Sequence, residues 1–131
     1  MSYYDNVIDF HYAYGVPVEQ TPQLPPIKRQ KLRISLLKEE YLELCEALDS
    51  ANNLAHIAKE FADLVYVILG TAAEYGIPFN EVWNAVHESN LTKCNSDGSV
   101  ASREDGKILK GSNYHPPNIA LIIMNAANVE R

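Results

Sequence analysis

SLLKEEYLELCEALDSANNLAHIAKEFADLVYVILG, residues 35–70, carries two helical patterns divided by a polar break. Ile34, Leu37, Tyr41, Leu44 and Leu48 recur three and four apart before a polar break. Leu54, Ile57, Phe61, Leu64, Ile68 and Ala72 do the same after it. That is the period of two amphipathic helices, each with a stripe expected to be buried. The break from Asp49 to Asn53 reads as a turn short enough to fold them antiparallel, with Asn52 or Asn53 as the N-cap of the second helix.

Two acidic motifs ride on this hairpin, Glu40-x-x-Glu43 and Glu60-x-x-Asp63. A spacing of three puts each pair on one helix face, about one turn apart. At about 100° per residue, Leu36, Glu40, Glu43 and Ala47 fall within roughly 60° of one another, so the first pair interrupts an otherwise apolar line. Glu60 and Asp63 border the stripe of the second helix, with Val67 one turn on. Folding the helices together would make the four acids converge. Unit charges about 4 Å apart interact by roughly 4 kcal/mol at an effective dielectric of about 20. A hard divalent cation such as Mg²⁺ relieves that repulsion, takes oxygen ligands and binds substrate phosphates. A di-iron bundle would need Glu-x-x-His pairs, and neither acidic pair carries a histidine at the fourth position. His56, one turn before Glu60, is within reach of the site. An acidic pair taken singly is more often a solvated face; two pairs bordering adjoining core stripes favour the metal reading.

Outside the hairpin, Tyr3 to Tyr14 reads as a short aromatic helix stopped near Gly15. Pro17, Pro22, Pro25 and Pro26 hold the next segment extended. A fourth helix spans about Pro78 to Leu91. Thr92 to Pro117 is polar and irregular, or a small hairpin, and the chain from Asn118 forms a last short helix. The expectation is one all-α domain over residues 1–131: an N-terminal helix and proline-rich loop (1–26), core helices (27–91) and a lysine-containing tail (92–131).

The chain is 47% hydrophobic, which favours a globular fold, and carries a formal charge of -6. That charge argues against a nucleic-acid or anionic-membrane partner, which calls for a basic surface. The richest apolar run, Ile119 to Met124, is too short to span a bilayer, and no charged-then-apolar leader opens the chain. The two cysteines, Cys45 and Cys94, give neither a disulfide framework nor zinc spacing, so a reduced cytoplasmic setting is expected.

The pattern Glu39-Glu40-x-x-Glu43 followed by Glu60-x-x-Asp63 resembles the all-α nucleoside triphosphate pyrophosphohydrolases, the superfamily of MazG proteins, phosphoribosyl-ATP pyrophosphohydrolases and dimeric dUTPases. Val86-His87-Glu88-Ser89-Asn90-Leu91-Thr92-Lys93 is similar to the following segment of short MazG-like proteins. Phe10-His11, Gly15-Val16-Pro17 and Arg103 to Gly111, then Tyr114 and Pro116-Pro117, are similar to compact phosphoribosyl-ATP-pyrophosphohydrolase-like members, many of them phage-encoded and some, the MazZ-like subgroup, dGTP-trimming. The resemblance implies cleavage of (d)NTP to (d)NMP and pyrophosphate, with (d)GTP the best single substrate. It implies that Glu40, Glu43, Glu60 and Asp63 hold Mg²⁺ or Mn²⁺, two or more ions per site. Glu39 would orient water or stand behind the ligands, while Asn90, Lys93, Lys107 and Lys110 would meet the phosphates. Phe10, His11 and Tyr14 would stack on a base or pack the core. It further implies a homodimer or homotetramer, localised to the cytoplasm. Phosphoribosyl-ATP hydrolysis and a non-catalytic nucleotide-binding or oligomerisation module are the alternatives.

Overall fold

The computed structural model describes residues 1–50 and 53–128, so Asn52 as an N-cap lies outside the described residues. Five helices form in the order α1 (Tyr3–Tyr14), α2 (Ile27–Ser50), α3 (Leu54–Glu74), α4 (Phe79–Asn90) and α5 (Ile119–Ala127). The fold is all-α, a bundle built on the α2–α3 hairpin. Among the described residues no helix is long and apolar enough to cross a membrane. The chain packs as two compact units, Met1–Ile77 and Pro78–Arg131.

In the first unit, α1 opens with a capping box in which Ser2 and Asp5 each accept the other's backbone N–H. It closes on Gly15, whose φ of 68° is the left-handed conformation that glycine adopts without a Cβ penalty. Asn53 caps α3 by accepting from the Ala55 and His56 N–H groups. The proline-rich loop returns to the end of α3, where the Glu19 and Gln23 N–H groups donate to the Ala73 and Tyr75 carbonyls. Those carbonyls would otherwise be orphans of a helix C-terminus.

The hairpin is antiparallel, as its side-chain partners show. Rising along α2 and falling along α3, Arg29 meets Glu74 and Arg33 meets Thr71 and then Val67. Further along, Glu40 faces Asp63 and Glu60. Near the proline-rich loop the hairpin is held by a buried ion-pair cluster. Arg29 grips Glu74 through Nε and Nη2 at 2.8 and 2.9 Å, and Arg33 Nη1 lies 3.1 Å from the same carboxylate, which is 0% exposed. Arg33 spends its remaining donors on the Thr71 hydroxyl and the Val67 carbonyl. Gly70 makes room for this packing, since a Cβ there would stand 2.6 Å from Arg33 Nη2 and 2.8 Å from His11 Nε2.

The expected stripes are corrected at several positions. On α2, Leu44 is buried with Ala47, but Ile34, Tyr41 and Leu48 are each about half exposed. On α3 the buried positions are Glu60, Leu69, Gly70, Ala73 and Glu74, while Phe61 and Ile68 are exposed. The helical period holds in both elements. The covered arc lies elsewhere because α1 packs against only one side of α3, and side-chain rows facing away from both neighbours have no cover within this unit.

In the second unit, α4 packs against α5. The buried Ser89 hydroxyl donates to the His115 carbonyl, and the His115 N–H donates to Thr92 Oγ1, tying the tail to the end of α4. The tail is largely irregular. A bridge between Ser102 and Ile108 closes a tight loop through the Arg103 N–H to Lys107 carbonyl bond and Gly106 at φ 90°. Asn118 caps α5.

Candidate metal centre

Glu40 of α2 and Glu60 and Asp63 of α3 each offer an oxygen, and these oxygens lie within 4.8 Å of one another. Their convergence follows from the register. Glu60 and Asp63 are one turn apart on α3, and the antiparallel hairpin sets Glu40 across from them. Glu43, one turn past Glu40 and exposed, is not one of the three converging acids, but it is close enough to raise the Glu40 pKa by charge and by hydrogen bonding. Glu60 is 4% exposed. Glu40 Oε2 and Glu60 Oε2 are both buried with no hydrogen-bond partner among the described residues.

An unpartnered buried carboxylate oxygen is costly, and several of them together are costlier. The effect is visible at Glu40, whose carboxyl is held above its ordinary pKa, first by burial and then by the Glu43, Asp63 and Glu60 charges. Magnesium–oxygen distances are about 2.1 Å, so two ligands of one ion are at most about 4.2 Å apart. Closing the observed spread to that figure takes only a side-chain adjustment. The oxygens are hard donors, Glu40 and Glu60 each carry a buried oxygen without a partner among the described residues, and the residues fit a divalent cation.

Two basic side chains already border the acids. Lys59 Nζ lies 2.8 Å from Asp63 Oδ2 and 3.8 Å from Glu60 Oε1, and these neighbours raise its pKa, the hydrogen bond to Asp63 first. His56 Nδ1 is 3.8 Å from Glu60 Oε1. An open cleft of about 440 Å³ adjoins the group, lined by Glu43, Glu46, Ala47, Ser50, His56 and Glu60. Lys59 was missed in the sequence, although its position four residues before Asp63 is the helical ion-pair spacing.

The remaining candidates are placed as follows. Glu39 is exposed on α2 beside Glu40. Phe10 meets Tyr66 edge-on with ring centroids 5.5 Å apart and Tyr14 at 4.8 Å. His11 is 3% exposed, with Nδ1 3.0 Å from the Pro17 carbonyl and the far edge of its ring against Gly70. These contacts are those of packing between α1, its following loop and α3; Tyr14 is 73% exposed. Asn90, Lys93, Lys107 and Lys110 belong to the second unit. Asn90 ends α4, its carbonyl accepts from the Lys93 N–H, and Lys110 Nζ sits 4.9 Å over the Tyr114 ring. The Lys107 N–H donates to Asp105, which Arg103 also grips through two nitrogens.

Fold and site together define an all-helical protein that gathers carboxylates across a helix hairpin, an arrangement compatible with a divalent cation. The chain belongs to the phosphoribosyl-ATP pyrophosphohydrolase family, whose model matches residues 7–90. Its members are pyrophosphohydrolases, hydrolases acting on phosphoric anhydrides. The match runs from within α1 to the end of α4 and includes all four acids; Lys93, Lys107 and Lys110 follow it in the chain. No curated protein matches this chain.

Proposed function

We propose that this chain is a divalent-metal-dependent nucleoside triphosphate pyrophosphohydrolase, converting (d)NTP and water to (d)NMP and pyrophosphate. The observation that carries the reading is the pair of buried, unpartnered oxygens on Glu40 and Glu60 within a three-acid convergence. Glu40, Glu43, Glu60 and Asp63 would hold Mg²⁺ or Mn²⁺, with more than one ion per site. Such ions neutralise phosphate charge and make bound water a nucleophile near neutral pH.

The residues then have separable tasks. The four carboxylates fix the cationic side of the site against the triphosphate. Glu39, exposed beside Glu40, orients the incoming water and receives its proton. The water oxygen bonds to the α-phosphorus, the bond from that phosphorus to the bridging oxygen breaks, and pyrophosphate leaves with the electron pair. The resemblance assigns phosphate contacts to Asn90, Lys93, Lys107 and Lys110, the lysines as point charges. The resemblance leaves Phe10, His11 and Tyr14 to base stacking or core packing, and the contacts of Phe10 and His11 with α3 support packing. The likeness of the chain to compact phage members, some of which trim dGTP, supports (d)GTP as the preferred substrate.

Self-association belongs to the same reading. Ile34, Tyr41 and Leu48 on α2 and Phe61 and Ile68 on α3 expose apolar side chains that a homodimer or homotetramer would cover. The test of the activity is a nucleotide panel with Mg²⁺, read for products. Monophosphate together with pyrophosphate is the expected result, strongest with a guanine nucleotide; orthophosphate alone would overturn it. The family description favours phosphoribosyl-ATP as the second substrate to include, and preferential turnover of that compound would replace the triphosphate reading.

A further inference from the structure

We propose that Lys59 is a tethered cation of the acidic centre, holding Asp63 and Glu60 in place before a divalent ion binds and yielding Asp63 to that ion when it does. This rests on the reading of the four acids as a metal site. The Lys59 ammonium is 2.8 Å from Asp63 Oδ2 and 3.8 Å from Glu60 Oε1, so one positive group spans both acids that α3 contributes. An ordinary exposed helix pair joins one acid to one base and contributes little. Here the acid that Lys59 holds is one of three whose oxygens converge within 4.8 Å, and two of the others' oxygens are buried without a partner.

The position suits a removable plug. The Lys59 side chain is 67% exposed, so its stem can swing into water without disturbing the core, whereas Glu60 is fixed by burial. An ammonium within hydrogen-bond distance of Asp63 and a divalent ion on the same carboxylate repel each other strongly at such separation. Occupation of the site is therefore an exchange of one cation for another. The exchange keeps the acids gathered in the empty protein and weakens metal binding by the strength of the contact that is lost.

The test compares wild type with Lys59→Met and with Lys28→Met, which removes the same charge from an exposed position at the start of α2. Binding of MgCl₂ and of MnCl₂ is measured by calorimetry, and thermal unfolding is measured in EDTA. Lys59→Met is expected to bind Mg²⁺ about two- to fivefold more tightly, the range of an exposed ion pair, and to melt earlier than wild type in EDTA. Lys28→Met should change neither. Unchanged or weaker Mg²⁺ binding by Lys59→Met, an unchanged melt in EDTA, or equal tightening by Lys28→Met would each overturn the proposal. If wild type itself binds neither ion, the metal centre fails and the proposal falls with it, an outcome separate from a failure at Lys59 alone.

Discussion

The Glu60 side chain is buried and its Oε2 has no partner among the described residues, an arrangement that costs stability unless a cation is present. Glu60→Gln should therefore melt later than wild type in EDTA, lose the Mg²⁺-induced rise in melting temperature, and lose two or more orders of magnitude in turnover, since metal stabilisation is worth several kcal/mol. A variant with near-normal turnover would remove Glu60 from the site. Asp63→Ala and Glu43→Ala should abolish turnover while leaving the far-ultraviolet circular dichroism nearly intact. Glu40 adds a pH dependence whose sign follows from its environment. Its folded pKa is raised, by burial first and the neighbouring acids next, so the folded protein binds more protons than the unfolded chain just above the ordinary carboxylate range. Its contribution is intact below the unfolded pKa and is lost as pH rises through the raised folded value. Melting temperatures in EDTA should accordingly fall across that window, and Glu40→Gln should flatten the slope; a rise with pH attributable to Glu40 would contradict the geometry.

At the scale of the element, the register between α2 and α3 decides whether the acids meet. The buried cluster of Arg29, Arg33 and Glu74 pins one end of the hairpin, and Asn53 caps α3 at the other. Removing one member of a buried ion pair leaves the other uncompensated. Glu74→Ala is expected to cost about 3–5 kcal/mol in urea unfolding because Arg33 would be stranded in the core. Gly70→Ala is a second probe of the same region: its Cβ would meet Arg33 Nη2 at 2.6 Å and His11 Nε2 at 2.8 Å, and overpacking of this kind costs about 1–3 kcal/mol. If either substitution shifts the hairpin, Mg²⁺ affinity should fall with stability, although neither residue is among the acids. Unfolding midpoints close to wild type for both would show that the register is held elsewhere.

At the scale of the whole molecule, the distribution of apolar surface points outward. Few large hydrophobic side chains are fully covered, and both hairpin helices expose residues from their apolar stripes. Light scattering after size exclusion should give a mass at least double the 14.7 kDa of one chain. Phe61→Asp with Ile68→Asp should reduce that mass or precipitate the protein, since both replace exposed apolar groups on one helix. A wild-type mass of a single chain would overturn self-association.

The helices themselves were legible because their signals are local. Apolar period, Gly15, Asn53 and the proline-rich break are each written within a few residues, and the hairpin follows from a connection too short to do anything else. The two acidic pairs were legible for the same reason; that Glu40, Glu60 and Asp63 converge, without Glu43 among them, took the register between α2 and α3. What required tertiary structure was everything set by a distant partner. That Glu74 is a fully buried counter-ion for Arg29 and Arg33, that His11 packs against Gly70, and that Phe61 and Ile68 face outward depend on which arc of each helix its neighbours cover. A periodic stripe names the face able to be buried; only the packing of α1, α2 and α3 decides how much of it is.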